Sequence, residues 1–358
     1  MKIFGLALVA VLMSSCQLLA DKSQIRSNTS ELADKQLAET ITLGLTYPYE
    51  REPTSYLFVN GVPYAYESLG KDPLSDATIK VGSKIIQVDT FLNELTRTQK
   101  QERPRAMSYR IPIIAYGSNA AVSALKRKFM SEKFARGWAI FPVLKAELKD
   151  FEVVHAAHFV PVNGSFPAGL AYSAGAETEV WITYLDAQEM ERMHASEGID
   201  SDSPESWYAY GKIENVKIKI LSGRELNSAF VYIDNYGALK VNGKSSALAK
   251  VPAQNKFPTL SMQAALEASE DIFKAKPASA DAQKRCSKWQ GIEKRLCENI
   301  SDACARDDRT DALLKDNRVE FWNLPQSSGI KFTRLAGADK AGHPKAFPDS
   351  MRCARAGR

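Results

Sequence analysis

The stretch IPIIAYGSNA, residues 111–120, constrains the chain more than any other. Ile111–Ala115 form an apolar, β-branched run of the kind that makes a buried strand. The run stops at Tyr116-Gly117-Ser118-Asn119. From Asn119 onward, Val122, Leu125, Phe129 and Phe134 fall on one face of a helix. A buried strand feeding straight into a helix brings a tyrosine, a glycine and two short polar side chains to one turn. Backbone N–H groups beside a helix N-terminus favour an anion such as a carboxylate, and glycine permits close backbone approach. A simpler use is also open, in which Asn119 is just the helix N-cap.

A second anchor lies downstream. Asp186 and Glu189 have the spacing of a capping box, and Leu185 and Met190 that of a hydrophobic staple. The helix they start should run to about Ser196, because Gly198 suits the left-handed position past a helix end. Glu197 then sits at the helix C-terminus. Strand-like runs surround these anchors: WAIFPVL, FEVVHAAHFV, AGLAYSA and EVWITYL, then GKIENVKIKIL and SAFVYI, with turn-rich or helical segments expected between most of them. Together they predict an α+β fold with a largely antiparallel sheet or small barrel and packed helices. The expected organisation is a β-rich N-terminal region (45–105), a main domain (106–262) and a more helical, cysteine-bearing extension (263–358).

The ends of the chain point to export. Lys2, the apolar run Ile3–Met13 and the small pair Ser14-Ser15 have the layout of a secretory signal over 1–15, too short for a permanent membrane span. With Cys16 next, the segment resembles a bacterial lipoprotein lipobox. That resemblance implies lipidation of Cys16 and a membrane partner through the lipid. Gln17, rather than aspartate, implies an outer-membrane destination facing the periplasm. Residues 16–44, polar and lacking proline, read as the lipidated cysteine and a tether with some nascent helix. In an oxidising compartment the remaining Cys286, Cys297, Cys304 and Cys353 are disulfide candidates. Cys297 and Cys304 flank a helical-looking ENISDA, about 10 Å apart along a helix, and a disulfide wants less than about 7 Å. Cys353 is then expected to join one of those two and Cys286 the other. Zinc is disfavoured, with no close C-x-x-C pair.

Other chemistries fail on spacing. GALKVNGKSS misses the phosphate-loop register, no G-x-G-x-x-G occurs, and Ser118 lacks the G-x-S-x-G elbow. His155 and His158, three apart, point to opposite faces of a strand, and His194 reads as a packed or solvated helix residue. The formal charge of +5 is concentrated in residues 276–358, where 17 Lys+Arg face 11 Asp+Glu. No nucleic-acid motif accompanies it, so no nucleic-acid partner is expected.

AYGSN after an apolar strand, followed by LKAELKDFEVV, FPAGLAYSAGAETEVWITYLDAQEMERMHASEG and SWYAYGKIENVKI, resembles the γ-glutamylcyclotransferase family over roughly residues 108–235. The specific marks are the Y-G-S-N loop and the glutamate of E-G after a methionine-rich helix, here Glu197. The resemblance implies a compact α+β fold around a small barrel and release of 5-oxoproline from a small γ-glutamyl substrate. No metal or organic cofactor is implied. It assigns Glu197 the role of catalytic base and acid, and makes Tyr116, Gly117, Ser118, Asn119 and Ala120 substrate-binding residues. Tyr208 or Tyr210, and Tyr232, would line the cavity. Ala120-Ala121 depart from the larger apolar residue usual after the loop, and members are typically cytosolic and without tails. A non-catalytic ligand-binding or envelope-structural lipoprotein with the same fold is the alternative.

Overall fold

A computed structural model describes residues 32–199, 207–337 and Cys353. The expected signal peptide and Cys16 lie outside the described residues. Helix α1 (32–46) opens the described region. Its Leu37 and Ile41 are buried against Phe159, Phe166, Phe273 and Leu296. The expected tether therefore does not extend over 32–44, which is a docked helix. An isolated helix of this length is marginal in water, and each buried aliphatic adds about 1.5–3 kcal/mol, so packing holds what a polar composition hides.

The β-rich region follows as β1 (Tyr56–Val59), β2 (Val62–Ser68), β3 (Thr78–Val81) and β4 (Lys84–Gln87), then helix α2 (Val88–Gln99). The main domain contains β5 (Ile111–Ala115), helix α3 (Val122–Phe129), β6 (Ile140–His155), β7 (Ala168–Leu185), helix α4 (Ala187–Ser196), β8 (Tyr208–Ile220) and β9 (Glu225–Asp234). Five of these strands close a barrel. β7 pairs with β5 and β6, β6 with β8, and β8 with β9, all antiparallel, and the parallel contact of β9 with β5 seals the ring. β1 adds to β6 outside that ring, so the N-terminal strands continue the same sheet.

Two expected strand breaks are absent. β6 and β7 run for 16 and 18 residues through segments read as interruptions. KAELKD carries charges, yet it keeps the period-2 alternation of one half-buried strand. Its change of direction is absorbed at Asp150, at φ 63°, where the β6–β7 register shifts.

Alternate residues of the central strands enter two cores. Ile114, Leu144 and Ile182 join one cluster, while Ile113, Val143 and Trp181 join the other with Phe129, Met190 and Met193. β5 is thus buried on both faces, which is why its sequence is continuously apolar. The second cluster packs α3 and α4 side by side over the barrel. Both helices deliver their C-termini to the end of β5.

The C-terminal extension is mainly helical, over Met262–Glu267, Glu270–Ala275, Ala280–Arg285, Gly291–Ser301 and Ala303–Lys315. Disulfides join Cys286 to Cys297 and Cys304 to Cys353, with Cα separations of 5.7 and 4.5 Å. This is one of the two pairings left open by the spacing. The strand Lys331–Gly337 then returns to pair antiparallel with β8, so the extension is sutured to the barrel.

Candidate active site

The two sequence anchors meet. Asn119 Nδ2 donates to Glu197 Oε1 at 3.0 Å, although 78 positions separate them in the chain. The helix after the loop starts later than its apolar spacing predicts: Ser118–Ala120 form a 3-10 turn and α3 begins at Val122, with Ala121 in the N-cap position. Asn119 is therefore no cap, and its amide is free to cross to Glu197. Phe134, expected on the helix, lies beyond its end but still packs edge-on to Phe129 at 5.6 Å.

Glu197 is placed by the start of its helix as predicted. The Asp186 and Glu189 capping box is complete, α4 ends at Ser196, Glu197 is the C-cap and Gly198 has φ 66°. The glutamate side chain is 11% exposed. Lys128, in the last turn of α3, pairs with Glu197 Oε1 and donates to Asn119 Oδ1 at 2.6 Å. Sequence reasoning missed Lys128. Its one signal was a position nine residues after Asn119 on the helix that follows the loop.

Tyrosines form the surrounding wall. Tyr116 OH donates to the Tyr232 carbonyl at 2.6 Å, and the Tyr232 hydroxyl lies 2.9 Å from His194 Nδ1. Tyr208 and Tyr210 each meet Tyr232 ring to ring, at 6.4 and 5.1 Å. Burial pushes the phenols of Tyr116, Tyr208 and Tyr232 well above their ordinary value, and the Glu197 carboxylate adds to each. Tyr210 is pushed up to about 12 by burial alone. These rings stay neutral and can donate hydrogen bonds. Burial pushes His194 down, with Glu197 acting in the opposite sense, so the imidazole favours its neutral form.

The segment just after α1 supplies a wall residue that family-like residues did not announce. Tyr47 OH accepts from the Ala168 N–H at 3.0 Å, and its own pKa is pushed up to about 12, first by burial. The hydroxyl also explains Gly117: a Cβ there would stand 2.9 Å from Tyr47 OH and 3.1 Å from Ala168 Cβ. Glycine is needed for close approach, since its φ is −103°. Arg51 Nη2 donates to the Tyr116 carbonyl at 2.6 Å while its guanidinium stacks on Trp181. The 45–105 region thus contributes to the loop.

The other expected site residues divide. Ser118 is half-buried beside Asn119, whereas Ala120 is fully buried in the apolar cluster with Tyr56 and Phe58. His155 and His158 make their hydrogen bonds to other residues. His155 approaches the Ser246 carbonyl and hydroxyl, and His158 Nε2 lies 2.9 Å from Asp234 Oδ2. Among the described residues no group of three His, Cys, Asp or Glu is arranged to hold a metal.

No protein family and no curated protein matches the chain. Among solved structures, it is similar to a protein described as a gamma-glutamyl cyclotransferase, with 17% identity, 35% of this chain and 66% of that chain covered, and a TM-score of 0.28. It is also similar to an uncharacterized protein from Homo sapiens, with 16% identity, coverage of 51% and 92%, and a TM-score of 0.28. The chain spans just under two thirds of the first structure. The likeness is weak and stays at the level of the fold.

Proposed function

We propose that the protein is an enzyme of γ-glutamylcyclotransferase type, releasing 5-oxoproline and a free amine from a small γ-glutamyl compound. The contact between Asn119 and Glu197 carries this reading, because it brings the polar loop and the one candidate carboxylate to a common point. The α-amine of the substrate attacks its own γ-carbonyl carbon, five-membered ring closure being favoured by proximity. A C–N bond forms to the α-nitrogen and the γ-amide C–N bond breaks. Glu197 takes one proton from the α-ammonium before attack and passes it to the departing nitrogen; the second proton, shed by the ring nitrogen as the lactam forms, goes to the same nitrogen, so the amine leaves as its ammonium and one carboxylate serves as base and then acid. The Gly117-Ser118-Asn119 turn would hold the glutamyl group, with Tyr208 and Tyr232 as neutral walls.

Export and lipid anchoring at Cys16 belong to the same proposal. The two disulfides support an oxidising compartment. Membrane association lost on Cys16→Ala would bear this out, and a wholly soluble wild type would refute it. One observation favours a second reading, a ligand-binding lipoprotein: the Glu197 oxygen that meets Asn119 already holds a lysine ammonium. A panel of γ-glutamyl amino acids and amines, with 5-oxoproline as readout, separates the two. Release that is abolished by Glu197→Gln is the expected result. Release unchanged in that variant removes Glu197 from the chemistry, and binding without release leaves the second reading.

A further inference from the structure

We propose that Asn119 Oδ1 and Glu197 Oε1 form a subsite for a primary ammonium, and that Lys128 is its resident occupant, which an incoming ammonium must displace. The identification of the incoming group as a substrate's α-ammonium rests on the function proposed above; the subsite itself rests on geometry.

The Lys128 ammonium has three neighbours that suit its three N–H donors: Asn119 Oδ1 at 2.6 Å, Glu197 Oε1, and Met193 Sδ at 3.7 Å. Asn119 completes the arrangement by donating to the same glutamate oxygen from its other amide atom. Among the described residues, the titratable groups facing Glu197 besides Lys128 are phenols and an imidazole: Tyr47, Tyr116, Tyr208 and Tyr232, with His194 on the glutamate's own helix. Burial holds the phenols and the imidazole in their neutral forms, so among the described residues Lys128 is the cation that compensates the carboxylate at contact distance.

Lys128 is also built to leave. Its α3 neighbours Lys126 and Arg127 are exposed, and Lys128 differs by being turned inward, with its side chain still 16% exposed. A four-carbon stem can swing the ammonium to water without moving the helix. An internal occupant lowers the apparent affinity for an external one by the fraction of time the subsite is open. Removing it should therefore tighten binding of the same chemical group.

The test uses ethylammonium as the probe and tetramethylammonium, which has no N–H donor, as control, followed by NMR titration of the folded protein. Lys128→Met should bind ethylammonium at least about tenfold more tightly than wild type, about 1.4 kcal/mol, and tetramethylammonium should not bind. In wild type, saturating ethylammonium should release the Lys128 ammonium, read as loss of its protected Nζ–H signal. Equal or weaker ethylammonium binding in a folded Lys128→Met protein overturns the proposal. Should that variant not fold, Lys128→Gln and the wild-type displacement experiment decide, and persistence of the Nζ–H signal at saturation is fatal. Ethylammonium binding without any 5-oxoproline release keeps the subsite and sinks the cyclotransferase reading. Release of 5-oxoproline without tightening in Lys128→Met does the reverse.

Discussion

Helix α4 carries a carboxylate paired with a basic residue at each end, and the two ends are put to different use. At the N-terminal end, Glu189 Oε2 accepts from Arg110 and from the Asp186 N–H, and Oε1 accepts from Arg136 and the Ile140 N–H. Both oxygens are saturated, and the Arg110 and Glu189 side chains are fully buried. At the C-terminal end, Glu197 Oε1 meets Asn119 and Lys128, while Oε2 makes no hydrogen bond among the described residues. A buried carboxylate with both oxygens engaged has nothing left to offer a ligand. A half-used, partly open one has a lone pair ready to receive a proton. Satisfaction of each oxygen, more than the presence of a salt bridge, separates scaffold from candidate site.

The largest effect expected from breaking this contrast is at the buried end. Arg110→Ala removes one of the two arginines that pair with buried Glu189, leaving Arg136 and two N–H donors, and should cost about 3 kcal/mol of stability, read by chemical denaturation. A loss below about 1 kcal/mol would place both ends of the helix in the same class. Next is the loop. Gly117→Ala drives a Cβ against Tyr47 OH and Ala168 and should cost about 1–3 kcal/mol by overpacking. Tyr47→Phe should relieve part of that cost in the double variant, and strict additivity would show that the hydroxyl is not what requires glycine.

Glu197→Gln should change stability by no more than about 1 kcal/mol, in the range of partly exposed pairs, while abolishing turnover. A loss as large as that of Arg110→Ala would make Glu197 a second structural carboxylate. The smallest effect concerns His194. Burial lowers its pKa in the fold, so the unfolded chain binds more protons just below the ordinary histidine range. The stability of the neutral ring is complete above that range and is lost as pH falls through it. Solvent screening keeps the effect well under 1 kcal/mol. Denaturation at pH 7 and pH 5 should show a shallower decline in His194→Gln, and an unchanged decline would assign the proton uptake elsewhere.

Much of the barrel was readable because its signals are local. β5 is apolar throughout since both its faces are buried, and α4 starts and stops where Asp186, Glu189 and Gly198 say it should. The long strands β6 and β7 were split in reading because KAELKD and GAET look like turns. Only pairing with each other makes those residues the outer face of a ladder. Helix α1 was hidden for a related reason: Leu37 and Ile41 are too few to reveal a buried face until the C-terminal helices supply its other side.

The same division runs through the site. Local chemistry determined the polar turn after β5, the position of Glu197 at a helix end and the restriction of the disulfides to two pairings. Each depends on residues close in sequence, where chain geometry leaves few choices. Tertiary structure alone decided that Lys128 turns inward to Glu197, that Tyr47 requires Gly117 and that Asn119 is spared from capping. Those are contacts between segments far apart in the chain, and only closure of the barrel, with α3 and α4 packed over it, brings them within hydrogen-bonding distance.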